Sequence, residues 1–141
     1  MDENLKRGFR AATLREPLAL KLGLELVEID SGYARVAFTV TEEMLNLFGS
    51  AHGGAVFALI DEAFELACNS HGSTAVALSM NVTYTRPAEP GARLTAEASE
   101  RNRTRRTALY DIQVHDQDQR LVACCRALAY RKGEPLPFAL P

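Results

Sequence analysis

The sequence predicts an α+β fold in which one long helix is wrapped by a curved, mainly antiparallel sheet. A single apolar run at helical spacing occupies residues 53 to 70, two extended stretches precede it and four follow it. With one helix available to fill the concave face of one sheet, a sheet curling round that helix is the arrangement that buries both. A chain of 141 residues with 47% hydrophobic content has enough material for one such core, so residues 1–141 read as a single domain.

Each element has its own signal. Residues 1–22 form a helical lead-in, with Pro17 suited to the first turn of a short helix that ends near Gly23. "LELVEID" reads as extended. After a "DSG" turn, "YARVAFTV" sets Ala34, Val36, Phe38 and Val40 on one face and Tyr33, Arg35, Ala37 and Thr39 on the other, a strand covered on one side. Within the helix, Val56, Phe57, Ile60, Ala63, Phe64 and Ala67 make a broad apolar stripe, with Leu59 and Leu66 on the opposite side. Such a helix is wrapped by a sheet or covered by a second subunit as well. Strands follow at roughly 74–86, 92–101, 104–117 and 120–131, separated by "RPAEPG", "RNRT" and "DQDQ". Val76, Leu78, Met80, Val82 and Tyr84 alternate with smaller or polar neighbours, as do Ala108, Tyr110, Ile112 and Val114, which predicts a mostly meandering sheet. The Pro-rich stretch 133–141 reads as an irregular tail.

Composition narrows the function. A formal net charge of −2 provides neither a nucleic-acid footprint nor a polybasic membrane anchor. The opening stretch scatters charges through its length and lacks an apolar core, so it reads as neither signal peptide nor membrane span, and a soluble cytoplasmic protein is expected. Three cysteines, two of them adjacent, make a poor disulfide framework and suit a reducing compartment. Cys68, His52 and His71 match no zinc spacing, so no metal is expected and Cys68 reads as a small core residue.

Chemistry concentrates between residues 46 and 72. Gly53 and Gly54 stand at the helix start, where missing side chains let another molecule reach backbone N–H groups that have no intrahelical partner. The N–H of Gly53 could stabilise an oxyanion there, worth ~3 to 4 kcal/mol for a well-placed donor; the alternative is a tight loop-to-helix turn and nothing more. Asp61 falls on the shoulder of the apolar stripe near Phe57, Phe64 and Cys68. Partial desolvation there, with Glu65 four residues on, would raise its proton affinity and make it a better base or nucleophile; a carboxylate tolerated in a wet cleft is the competing reading. Glu62 reads as ordinary surface. His52 could act as a base, a donor to substrate or a residue that bonds the loop backbone, orientation being favoured over proton transfer. His71 and His115 read as structural. The Asn46 amide can hold a water or a carbonyl. No nucleophile elbow and no phosphate-cradling loop with a following Lys is present.

Taken together, "N-LFGSA-HGG-AVFALI-D-EAF-ELACNSHG" resembles the phenylacetic-acid-degradation type of hotdog-fold acyl-CoA thioesterase, whose pattern is an Asn, a short loop, His-Gly-Gly and a helix bearing Asp. The resemblance continues through "AVALSMNVTYTRPAEPGARLTAEA", "RRTALYDIQV" and "LVACCRALAYRKG". It implies hydrolysis of an acyl-CoA to acid and free CoA, with no cofactor beyond the CoA of the substrate. Asp61 then corresponds to the essential carboxylate, as nucleophile or as general base on water, Gly53 to the backbone donor, and His52 and Asn46 to residues that orient substrate or water. It also implies sites shared between two subunits of a homodimer that assembles to a homotetramer. One departure is Ala77, aligned where some relatives carry a water-positioning hydroxyl; Ser79, two residues on, reads as lying on the same face.

Phenylacetyl and hydroxyphenylacetyl groups are the first expectation for the acyl moiety, with fatty acyl chains also accepted among relatives. Gly54, Phe57 and Phe64, with Leu47 and Phe48, would shape its pocket. Arg86, Arg103, Arg105 and Arg106 are candidates for the CoA phosphates, although "RNRTRR" equally suits a solvated surface. A dehydratase or hydratase of the same fold is the enzymatic alternative, disfavoured by the contiguous His-Gly-Gly with Asp nine residues after the His. A non-catalytic acyl-CoA-binding protein is the other, disfavoured by Asp61.

Overall fold

The computed structural model describes residues 1–138. Helices α1 (Glu3–Thr13) and α2 (Pro17–Leu22) lead into strands β1 (Glu25–Asp30) and β2 (Tyr33–Thr39). A 3-10 turn at Glu42–Met44 and a loop then deliver helix α3 (Gly53–Asn69), followed by β3 (Ser73–Tyr84), β4 (Arg93–Arg103), β5 (Thr107–His115) and β6 (Leu121–Pro135). Pro17 opens α2 and Gly23 closes it in the left-handed conformation at φ 65°, the asymmetry that the sequence signals. No helix among the described residues is long and apolar enough to cross a membrane.

All six strands form one sheet in the order β1-β2-β4-β5-β6-β3, and every neighbouring pair is antiparallel. The meander therefore holds for β4-β5-β6, but β3 joins the far side of β6 rather than lying beside β4. Its placement follows from α3, which lies across β2, β4 and β3 and so carries the chain from one side of the sheet to the opposite edge. The sheet's concave face and α3 make the core: Leu59, Ile60, Ala63, Ala67, Val36, Phe38, Leu94 and Val114 are fully or almost fully buried. The two-sided burial of α3 expected from Leu59 and Leu66 is present in this one chain.

Two stretches differ from the sequence reading. β6 runs on to Pro135, pairing there with Ser73, so the segment read as an irregular tail begins as strand; residues 139–141 of that segment lie outside the described residues. In β3 the pairing slips between Ala77 and Ser79, which oppose the consecutive residues Ala129 and Leu128. The bulge shifts the alternation by one, so Ala77 shares the inner face with Ala129 while Ser79 shares the outer face with Leu128. Ser79 is thus not on the same face as Ala77, and the position facing α3 carries no hydroxyl. Val76 and Leu78 are correspondingly exposed, and only Met80, Val82 and Tyr84 continue the inner row.

Candidate active site

The loop before α3 is built by Asn46. Its Oδ1 accepts from the Phe48 N–H at 2.9 Å and the Ser50 N–H at 3.2 Å, while its backbone N–H donates to the Ser50 carbonyl at 2.8 Å. The side-chain oxygen is thereby committed to the loop, and what Asn46 can still offer a bound molecule is its amide Nδ2. The closed loop presents Leu47 and Phe48 outward, 99% and 89% exposed.

His52 ends the loop and caps α3. Its Nδ1 accepts from the Gly54 N–H at 2.8 Å, and its carbonyl takes the Ala55 and Val56 N–H groups at 2.9 and 3.2 Å. An accepting Nδ1 puts the proton of neutral His52 on Nε2, the nitrogen left for other partners. The consequence for the two glycines is unequal. The Gly54 N–H is used by the cap, and a Cβ there would meet His52 Nδ1 at 3.1 Å, so Gly54 makes room for the His52 ring and offers a substrate no donor. The Gly53 N–H has no partner among the described residues and is the open donor of the helix start.

Tyr84, which the sequence reading placed only as a strand residue, completes this corner. Its hydroxyl donates to the Gly53 carbonyl at 2.9 Å, and a Cβ added at Gly53 would meet the Tyr84 ring at 3.4 Å. Its signal in the sequence is slight: it ends the inner row of β3, the strand that follows α3. Asn46, Phe48, Ser50, Gly53, Tyr84 and Arg86 line a cleft of about 540 Å³ here. Of the arginines proposed for phosphate, Arg86 is at this cleft. Arg105 and Arg106 are not, because the β4–β5 turn that carries them sits at the Tyr130 level of β6 whereas Tyr84 pairs at Ala123, roughly 23 Å along the strand. Arg106 bonds the Tyr130 hydroxyl at 3.2 Å.

Asp61 occupies the other part of the arrangement. Gly54, Phe57, Asp61 and Glu65 form the strip of α3 that the sheet leaves uncovered, Asp61 itself being half-buried. Desolvation raises its carboxyl above the usual aspartate range, and no Lys, Arg or His pairs with it among the described residues. The like-charge effect expected from Glu65 runs the other way: desolvation first, then the Glu16 and Asp61 charges, raise Glu65. Eight residues of helix separate Asp61 from Gly53, ~12 Å at 1.5 Å per residue, too far for both to touch one thioester carbonyl within a chain.

Three further expectations resolve in the structure. Phe64 is 1% exposed and packs edge-on against Tyr110 at 5.5 Å, so it belongs to the core and does not line the surface of α3; Phe57, 36% exposed, does. Glu62 is not ordinary surface. It is 4% exposed, with the Glu16 carboxylate within 4.8 Å, and burial raises its carboxyl strongly. His71 pairs with Glu100 at 2.7 Å, and Tyr110 donates to the same Glu100 oxygen at 2.7 Å, a structural network away from the cleft.

Known proteins share this architecture. A family model described as the thioesterase superfamily matches residues 48–123. Acyl-coenzyme A thioesterase PaaI of Escherichia coli is 43% identical over 82% of this chain and 82% of its own. The solved structure of the E. coli PaaI protein superimposes with a TM-score of 0.90, covering 94% of this chain and 96% of that one. That of smu.793 from Streptococcus mutans, bound to acetyl CoA, is 27% identical with a TM-score of 0.77 over 80% and 91% of the two chains. The span 48–123 includes the helix start, Asp61 and all the named cleft residues but Asn46, and the chain belongs to the PaaI-like acyl-CoA thioesterases, hotdog-fold members of the thioesterase superfamily.

Proposed function

We propose that the protein hydrolyses aryl-acyl-CoA thioesters, phenylacetyl- or hydroxyphenylacetyl-CoA before medium- or long-chain fatty acyl-CoA, to the free acid and CoA. The observation that carries the reading is Asp61: a partly desolvated carboxylate with no ion-pair partner among the described residues, on the uncovered strip of the central helix. Asp61 either takes a proton from water as it adds to the carbonyl carbon or adds itself to give a mixed anhydride that water then opens. In both routes the C–S bond breaks and CoA leaves as a thiolate that takes up a proton. The Gly53 N–H would hold the carbonyl oxygen as it becomes anionic, with His52 and the Asn46 amide orienting substrate or water around it. The chemistry needs no cofactor beyond the CoA of the substrate.

The ~12 Å between Asp61 and Gly53 supports a site made by two copies. β3 is an edge strand with Val76 41%, Leu78 58% and Tyr84 50% exposed, a surface suited to a second β3. Antiparallel pairing would carry the Ala75 end of one chain to the Tyr84 end of the other. Asp61 would then approach the other copy's Gly53, and Arg105 and Arg106 the other copy's cleft, where Arg86 already stands for the CoA phosphates. Assembly of such dimers to a homotetramer is part of the same reading. Three free cysteines agree with a cytoplasmic setting.

Release of free thiol from a panel of phenylacetyl-, hydroxyphenylacetyl-, benzoyl- and straight-chain acyl-CoAs tests this directly. Turnover that is fastest on the aryl-acetyl members and lost in Asp61→Asn is the expected result. Release that is unchanged in Asp61→Asn would move the chemistry to other residues.

A further inference from the structure

A second group of acids lies beside the site without belonging to it. Carboxylate oxygens of Glu16, Glu62 and Glu65 come within 4.8 Å of one another. Glu62 and Glu65 are three residues apart on α3 and so neighbours on its surface, where like charges repel. Glu16 is the residue that precedes α2, yet its side chain makes no hydrogen bond to the start of its own helix. None of the three pairs with a Lys, Arg or His among the described residues.

Acid clusters on a protein surface are ordinary, but this one has a buried member whose bonding is incomplete. Glu62 is 4% exposed, and its Oε1 is the buried side-chain polar atom that lacks a hydrogen-bond partner among the described residues. An unpaired carboxylate oxygen in that position is costly unless something positive meets it. The spacing suits an ion. Oxygens bound to one hard cation at 2.3–2.6 Å lie at most roughly 5 Å apart, which is the span of this cluster.

We propose that Glu16, Glu62 and Glu65 bind a divalent cation of the class that takes oxygen ligands, such as Ca²⁺ or Mn²⁺, and that the ion fastens α2 onto α3. Glu62 supplies the inner ligand, Glu65 the second from the same helix, and Glu16 closes the site from the start of α2. Water completes the coordination on the open side, which Glu65 faces. The ion would sit one helical turn from Asp61 and offset the negative charge around it.

The test uses the full-length protein stripped with EDTA and dialysed. Mn²⁺ is titrated in and free ion followed by its electron paramagnetic resonance signal, with Ca²⁺ as competitor, and thermal unfolding is recorded with and without each ion. Saturable binding near one ion per chain, a raised Tm with Ca²⁺ or Mn²⁺, and affinity weakened by about 10–100-fold or more in Glu62→Gln and in Glu16→Gln are expected. Glu89→Gln, an exposed acid outside the cluster, should bind as the native protein does. No saturable binding, or binding equal in native and both cluster variants, would overturn the site and leave Glu62 held by a proton or by another copy's basic group. Should Glu62→Gln fail to fold, Glu16→Gln decides alone, since it touches only the half-exposed end of the cluster.

Discussion

The two halves of α3 are chemically opposite. Its first turn offers an unpaired N–H at Gly53, a histidine cap and a cleft; its middle offers Asp61 and Glu65 in an uncovered strip with the buried Glu62 beside them. One end can stabilise negative charge and the other can supply it. Because ~12 Å of helix separates them, the proposed two-copy site takes its donor from one chain and its carboxylate from the other. α3 is both the core filler of the fold and the spacer that holds donor and carboxylate apart.

Breaking the carboxylate end should have the largest effect. Asp61→Asn keeps shape and removes the base or nucleophile, and kcat/KM should fall by about 10²–10⁴-fold in a thiol-release assay with Tm little changed. Breaking the donor end comes next, and Gly53→Pro does so selectively. Proline lacks the N–H, is tolerated at the first helical position, and follows His52, whose ψ of 137° is already the extended conformation that a residue before proline requires. A loss of about 10²–10³ in kcat is expected, with circular dichroism showing the helix retained.

Smaller effects sharpen the same contrast. The Glu62 carboxyl is raised on folding, so the folded state holds its proton to higher pH than the unfolded state does. Its contribution to stability is therefore complete below the ordinary carboxylate range and is lost as pH rises through the folded value. In metal-free protein, Glu62→Gln should remove that loss, raising Tm at alkaline pH by about 2–6 °C relative to native and much less at acid pH. At the cap, His52→Ala should cost ~1 kcal/mol of stability by thermal unfolding, whereas His52→Asn, which restores a capping oxygen, should recover most of it.

Much of this was legible in the sequence because it is local. The 3.6-residue spacing of residues 53–70, Pro17 and Gly23 around α2, and the His-Gly-Gly start each report on neighbours in the chain. What the sequence concealed depends on distant pairing. The move of β3 to the edge beyond β6 and the bulge at Leu78 are set by strands more than forty residues later, and the bulge is what turns Ser79 away from Ala77. Glu62 reads as surface in the sequence, yet it is 4% exposed with the Glu16 carboxylate, distant in the chain, within 4.8 Å. Phe64 reads as a pocket residue in the sequence, but Tyr110 of β5 claims its ring for the core. Arg105 and Arg106 share a charge run with no memory of which end of the sheet it will occupy.

The claim that each site is assembled from two chains can be tested most directly by complementation. Asp61→Asn and Gly53→Pro chains, each nearly inactive alone, are co-expressed under different tags so that they pair at random. Half of the dimers are then mixed, and each mixed dimer holds one site with both defects and one with neither, so about a quarter of native thiol release should return. Activity no greater than that of the two variants measured separately would contradict the shared site and place donor and carboxylate in the same chain's chemistry.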